Sequence, residues 1–463
     1  MNIKFMASIG LISLCSFTAS AQVLDLRDAL QRAVLNYDKI KSKQALVLAA
    51  QQNTVFQRQQ FLPDLTLAAQ QSFGTINVQH GPMYASSGMA SAATSMPLAE
   101  QNWNAAFGSL YFANINWDVF TFGRRKNQIL LGDDKEITAV AAVDQEVFQQ
   151  QVKVSAAYLN LLAAQRMEYV QHKNFQRAEV FFEMTDSRAQ SGLIPEVDAS
   201  LAKAEVSNAK SAELKAYDKV LDFSKQLAVH MGDTFQAYQL DSVYSTSVPE
   251  NRADQSEKDI AKHPFLQLQQ GQINESLQVE TLFRSERMPK VSAFGVLQGR
   301  GSGFDANYAQ DLSAYSSSYF KGVGVDRSNY LLGFSLSWNI SNMYRFNTKI
   351  KQQKEYTRAL SHDYDLLHKE LNAQAMLAQA QIKNAYDNFE ETKVQLSAAL
   401  LAYKQHTALY ENGLTTLVDY TQALYSLNRA EIDYELAQNN VWQGLLLLAA
   451  AQGDLAVLIK NPN

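Results

Sequence analysis

The phrase SGLIPEVD at 191–198 returns as NGLTTLVD at 412–419, so Gly192, Leu193, Val197 and Asp198 recur as Gly413, Leu414, Val418 and Asp419, 221 residues later. The two aspartates are the side chains whose type and placement offer chemistry. Each falls in the first turn of a following helix, where a carboxylate complements the positive end of the helix dipole for ~0.3–1 kcal/mol. Gly192 and Gly413 suit the positive φ that ends a helix; Leu193 and Leu414 follow either as exposed apolar knobs or as part of a cap folded onto its own helix. Elsewhere the reactive residue types do not assemble. The seven histidines (His80, His172, His230, His263, His362, His368, His406) lack metal-ligand spacing and are read as solvated or interface residues. Gly299, Gly301 and Gly303 mimic a dinucleotide loop, but they leave a strand for a Ser/Tyr-rich segment in which no helix opens. No catalytic constellation, cofactor site or metal site emerges, and the expectation is a protein that is not an enzyme.

The chain opens with Lys4, an apolar run from Phe5 to Phe17 and the small-residue triplet Ala19-Ser20-Ala21, the pattern of a secretory signal over residues 1–21. Cys15, the single cysteine, lies inside it, so the exported chain has no disulfide and no thiolate. Lipidation of Cys15 would want a small residue before it, and Leu14 stands there. Removing Lys4 from the 41 basic residues leaves 40 against 46 acidic ones, a net charge of −6, which gives no sign of nucleic-acid binding. The longest apolar run of the mature chain is LLLLAAA at 445–451, well short of the ~20 residues a membrane helix needs. Any membrane insertion must therefore use strands.

The elements that position the two phrases are unusually long. No proline or glycine falls between Gly132 and Gly192, or from Phe334 to Asn412. Ala, Gln, Glu, Leu and Lys fill both stretches, which predicts helices over about 125–190 and 344–411, the first ~100 Å in length. Shorter helices follow each turn, over about 195–230 and 415–453, with Pro195 suited to the first turn. Ahead of each long helix the period changes to two. Trp103, Phe107, Tyr111, Ile115 and Trp117 alternate with Asn104, Gly108, Asn114, Asn116 and Asp118, and Tyr330, Leu332, Phe334, Leu336 and Trp338 do the same against Gly333, Ser335, Ser337 and Asn339. The strand pairs are expected at about 61–73 with 103–120 and 289–298 with 329–341, joined by polar loops over 74–102 and 299–329, and helices precede them at about 25–60 and 257–286. The whole order occurs twice, in 22–232 and 257–456, with a connecting segment at 233–256 and a tail at 457–463. The charged runs at 349–355 and 363–370 read as solvated helix faces.

Strands with one apolar face satisfy their backbone in lipid only when the sheet closes, and four are too few to close a membrane barrel. Several copies must then contribute to one barrel, unless the strands form an ordinary hairpin packed on a soluble core. The duplicated strand-and-helix unit, WDVFTFGRRKNQI with its echo WNISNMYRFNTKI, and the turns SGLIPEVD and NGLTTLVDY resemble TolC-type outer-membrane efflux proteins from about Leu24 to Leu455.

The resemblance implies a mainly α chain with a transmembrane β part, assembled as a homotrimer: a twelve-stranded β-barrel in the outer membrane, four strands per chain, continuing into a twelve-helix α-barrel in the periplasm. It implies a periplasmic adaptor and an inner-membrane pump as partners, with Gly192, Leu193, Ile194, Gly413, Leu414 and Thr415 at the adaptor-binding tips. Asp198, Asp419 and Tyr410 would form the entrance ring and gate. The family's second aspartate is Gln422 here, its latch arginine is Thr415 and a hydroxyl partner is Val197, while Tyr410 keeps the tyrosine that would bond Asp198. The implied activity is passive export of small toxic compounds; protein or metal export, and a pore-free periplasmic scaffold, remain open.

Overall fold

In the computed structural model, the residues described are 23–78, 95–249 and 260–459. The expected signal sequence with Cys15, His80, and parts of the first polar loop, of the connecting segment and of the tail lie outside them. In chain order the elements are α1 (Leu26–Asn36), α2 (Asp38–Gln59), β1 (Asp64–Thr75), β2 (Ala105–Phe120), α3 (Arg124–Gln190), α4 (Glu196–Met231), α5 (Val243–Thr246), α6 (Pro264–Ser285), β3 (Lys290–Ser302), α7 (Tyr319–Val323), β4 (Arg327–Ser337), α8 (Ser341–Glu411), α9 (Leu417–Gln452) and α10 (Ala456–Ile459), with a 3₁₀ turn at Ile260–Lys262. Helix is the dominant element, at 68%. α3 and α8 run unbroken for 67 and 71 residues, because neither contains a residue that interrupts the backbone ladder beyond Gly132.

Some boundaries differ from the sequence reading. The helix expected over 25–60 breaks at Tyr37, whose ψ of 114° is extended. The break is seated on the end of α4: Asn36 Nδ2 donates to Asp233 Oδ1 at 2.9 Å, and a Cβ on Gly232 would meet the Asn36 carbonyl carbon at 2.9 Å. α6 starts at Pro264 rather than near 257, since proline tolerates the first helical position but disfavours helix in the residue before it. β3 continues to Ser302, β4 begins at Arg327 and ends at Ser337, and the loop between them holds α7. Pro195 caps α4 from outside, with φ −63° and ψ 145°.

The chain divides into two compact units that do not follow the sequence repeats: one draws on the segments up to Val47, Ala139–Gln270 and from Ser361, the other on Leu48–Thr138 and Gly271–Leu360. The second unit holds a four-stranded antiparallel sheet in the order β1-β2-β3-β4. Its register places Leu65 beside Ile115, Gly295 and Leu332 in turn, and Leu67 beside Ala113, Leu297 and Tyr330. One face of the sheet therefore collects the alternating apolar side chains, while the other carries Asp118, bonded to Ser292 Oγ at 2.5 Å and to Lys290. β1 and β4 are exposed on nearly every residue, and among the described residues each pairs along only one edge. The indoles of Trp117 and Trp338, equivalent at the 221 offset, donate to Phe61 O and Arg287 O at 3.1 and 3.0 Å, so both repeats fix the start of their first strand in the same way.

The first unit is helical. Leu26, Leu30 and Ala33 of α1 pack with Tyr158, Leu159 and Leu162 of α3, Leu227 and Met231 of α4, and Trp442, Leu445 and Leu446 of α9. Trp442 is fully buried, and its indole N–H is satisfied by Ser247 O at 3.1 Å. Truncating such a residue to alanine costs ~3–5 kcal/mol. His263 also belongs to this core, at 1% exposure, which corrects its reading as solvated or interfacial. Its Nε2 meets Ala450 O at 3.0 Å and its Nδ1 accepts from Phe265 N at 3.2 Å, so one neutral tautomer satisfies both nitrogens.

Candidate functional site: the paired helical turns

The two repeated phrases lie in the helical unit, and each closes its long helix by the same geometry. Gly192 and Gly413 sit at φ 70° and 71°. Gly192 N donates to Ala189 O and Leu193 N to Arg188 O, both at 2.9 Å. Gly413 N donates to Tyr410 O at 3.0 Å and Leu414 N to Leu409 O at 2.9 Å. These are paired Schellman closures, which satisfy carbonyls that the helix end leaves orphaned. The apolar contact that often completes such a cap is missing: Leu193 and Leu414 are 71% and 73% exposed. Val197 and Val418, one turn further on, are exposed as well, and Ile194 and Thr415 are half-buried. Each turn thus presents an unpartnered leucine and valine.

The following helices start differently. Thr416 caps α9 in a reciprocal box: its hydroxyl accepts from Asp419 N at 3.3 Å, and Asp419 Oδ2 accepts from Thr416 N at 3.2 Å. The same oxygen takes hydroxyl bonds from Thr416 at 2.6 Å and Thr415 at 3.0 Å. The Thr416 hydroxyl is the main cause, with Thr415 second, of an Asp419 carboxyl held below the ordinary carboxylate value. Thr415, read from sequence as a lost latch, is therefore a partner of Asp419. α4 has no side-chain cap at Pro195, and half-buried Asp198 lies in its first turn.

Between the turns lies an aromatic cluster. Phe181 stacks on Tyr420 with centroids 3.9 Å apart, Tyr410 tilts against both, and the hydroxyls of Tyr403 and Tyr420 are 3.1 Å apart. Tyr410 is 5% exposed and its hydroxyl has no hydrogen-bond partner among the described residues. The bond expected between Tyr410 and Asp198 is thus not made within the chain. The hydroxyl is committed to the apolar cluster, and what ties the turns is the Tyr410 backbone. Arg188 Nη1 donates to Tyr410 O at 2.8 Å, and its guanidinium lies 5.6 Å from the Tyr410 ring centroid. α8 has no basic residue in its last turn, so Arg188 of α3 supplies the positive charge that this helix terminus favours. Sequence reasoning missed Arg188: its counterpart at the 221 offset is Leu409, so no repetition marks it.

Further along, α3 is tied to α9 by two bidentate pairs, Arg166 with Glu435 (2.9 and 2.6 Å) and Arg177 with Glu431 (2.9 and 2.6 Å). Tyr425 donates to the buried Glu205, and burial first, then that bond, pushes the Tyr425 hydroxyl up to about 12. Among the described residues, no three His, Cys, Asp or Glu side chains stand close enough together to hold a metal ion, and no helix is long and apolar enough to cross a membrane. The two turns thus present exposed apolar side chains at the ends of long helices braced by these ion pairs.

The family model described as outer membrane efflux protein matches residues 29–233 and 284–454. Among solved structures, the outer-membrane channel OprN superposes with a TM-score of 0.71 at 15% identity, over 92% of this chain and 89% of that one. VceC of Vibrio cholerae gives 0.70 at 14% identity over 93% and 96%, and the CmeC outer-membrane channel of Campylobacter jejuni gives 0.70 at 12% over 92% and 85%. No curated protein sequence matches significantly. The family match spans most of the chain and these channels share its fold over 85% or more of their length, so the chain belongs to the outer membrane efflux protein family and is an outer-membrane efflux channel.

Proposed function

We propose that three copies of the chain form a passive exit duct, each giving four strands to a twelve-stranded β-barrel in the outer membrane and its long helices to a twelve-helix periplasmic barrel. The observation that carries this reading is the open sheet. Among the described residues, β1 and β4 each leave one edge without a partner while exposing apolar side chains, and in lipid every unsatisfied backbone group costs several kcal/mol. Pairing β1 of one copy with β4 of the next removes both edges, and three copies supply enough strands to close. The partners are outer-membrane lipid, a periplasmic adaptor and an inner-membrane pump, with no nucleic acid, no cofactor and no catalysis.

The turns at Gly192, Leu193, Ile194, Gly413, Leu414 and Thr415 are the adaptor-binding tips in this reading, supported by the exposure of both leucines without a packing partner. Asp198 and Asp419 line the entrance and favour cations, and Tyr410 belongs to the gate through its carbonyl, held by Arg188. An adaptor that binds the open arrangement more tightly shifts the population of tips towards it. Cargo is small toxic compounds. Detergent-extracted protein of trimeric mass that opens cation-preferring channels in a planar bilayer is the expected result; a monomer, or a trimer without conductance, overturns the proposal.

A further inference from the structure

The apolar face of the sheet changes character along its length. Near the helix-linked strand ends it carries Leu65, Leu67, Ile115, Trp117, Leu332 and Phe334, all exposed. Towards the loop ends, the same face carries Gln71, Ser109, Tyr111, Gly299 and Gly301, as the register requires. Ser109 and Gly301 are buried there and Tyr111 and Gly299 half-buried, while Gln71 on the edge strand stays exposed. The segment 303–326 folds back over them as a strap, pinned at its ends by Gly303 N to Phe107 O at 2.8 Å and Asp326 N to Arg300 O at 2.9 Å. Val323 O accepts from Ser109 Oγ at 3.2 Å and from Tyr111 Oη at 3.1 Å, and Tyr319 Oη donates to Gln71 Oε1 at 2.8 Å. A Cβ on Gly301 would fall 1.8 Å from Gly324 O, so glycine is required there for the strap to lie against the strand. The Gly299-Gly301-Gly303 run, which resembled a nucleotide loop, is the seat of this strap.

On β2 the bare part of the face is too short for a membrane, although on the edge strand β1 the face ends in Phe73, 57% exposed. From Trp117 to Tyr111 there are six residue steps, ~20 Å along the strand at ~3.3 Å each and ~15 Å along a barrel axis at a ~40° tilt. The outward apolar band of such barrels is ~25 Å tall. The strap supplies an apolar surface where the band stops: Phe320 is 84% exposed, Val325 55% and Tyr319 43%. Lys321 pairs with Asp305 at 2.9 Å, which neutralises the charge beside Phe320.

We propose that the 303–326 strap lies on the lipid side of the barrel wall and completes its membrane-facing band, with Phe320, Val325 and Tyr319 contacting outer-leaflet lipid. This rests on the outer-membrane reading and adds where the upper part of the band comes from. It explains why polar residues and glycines occupy an otherwise apolar face: their hydroxyls and backbone are satisfied by the strap, and water is not needed.

The test uses the full-length channel in liposomes, with Phe320→Cys labelled by an environment-sensitive fluorophore and Phe334→Cys as a companion on the bare band. Both side chains are exposed, so neither substitution disturbs packing. Quenching of the position 320 label by nitroxide-bearing phospholipid, with little quenching by aqueous iodide, is expected. If 334 is quenched by lipid while 320 is quenched only by iodide, the strap faces water: this inference falls and the channel reading stands. If both labels report water, the outer-membrane reading itself falls and takes the strap with it.

Discussion

Arg188→Ala should loosen the two turns from each other by about 2 kcal/mol. Arg188 makes one hydrogen bond from a charged donor to Tyr410 O at 2.8 Å, a class worth ~1.5–3 kcal/mol. Because Arg188 is half-buried, the lower end applies, ~1.5 kcal/mol. Its position over the Tyr410 ring adds ~0.5 kcal/mol. Two kilocalories correspond to a ~30-fold shift in a two-state equilibrium between tied and separated turns. In a planar bilayer, the fraction of time the channel spends open should rise accordingly, until it saturates. Arg188→Lys should fall between, since an ammonium still complements the end of α8 but lacks the planar stacking. Open probability unchanged in both variants, at unchanged thermal stability, would refute the reasoning and reduce Arg188 to a surface contact.

Gly192→Ala and Gly413→Ala should each destabilise the helical unit by ~1–2 kcal/mol, read by thermal unfolding, because φ near 70° penalises a Cβ while no atom stands within 4 Å of one at Gly192. Asp419→Asn should lower cation selectivity, measured as reversal potential in a salt gradient, with α9 still capped through the amide oxygen; in the parent the preference should outlast acidification to the ordinary carboxylate value of 3.8, since the Thr416 and Thr415 hydroxyls hold Asp419 below it. Unchanged selectivity would remove Asp419 from the entrance. Burial lowers the His263 pKa from the ordinary 6.5, so the unfolded chain binds the proton more readily than the folded one. Stability is therefore full above about 6.5 and falls as pH drops from there towards the depressed value, and His263→Gln should flatten that part of the unfolding profile.

What the sequence discloses and what it hides follow from range. The long helices were legible because nothing between Gly132 and Gly192 breaks a backbone ladder, and the strands because period-two alternation survives in a half-exposed sheet. Gly192 and Gly413 were legible as caps since positive φ is a local demand. The break at Tyr37 was not, because it is imposed by Gly232 and Asp233 nearly 200 residues away. The strap was hidden for the same reason: Gly301 is small on account of Gly324, and Ser109 is polar on account of Val323. His263 looked like any isolated histidine until Ala450 and Phe265 supplied its two partners. At the turns, the motif located Asp419 but not that Thr415 and Thr416 would share its carboxylate.

The divergence of the two phrases has a mechanical consequence. The second turn carries its own fastening: Thr416 and Asp419 cap α9 reciprocally, and Leu417 and Tyr420 behind them are buried. The first turn has no side-chain cap at Pro195, and the exposed Val197 and Leu201 leave the start of α4 with little apolar purchase. A helix start without such a cap loses ~1 kcal/mol relative to a capped one. The first turn is therefore the more easily rearranged of the pair. Yet it is α3, just ahead of that turn, that contributes Arg188 to the end of α8. The tie between the turns thus joins the last turn of α8, beside the capped start of α9, to the last turn of α3, beside the uncapped start of α4. A partner that seats Leu193 and Val197 would work on the side that yields, and would reach the Tyr410 carbonyl through Arg188 without having to unfold the second cap.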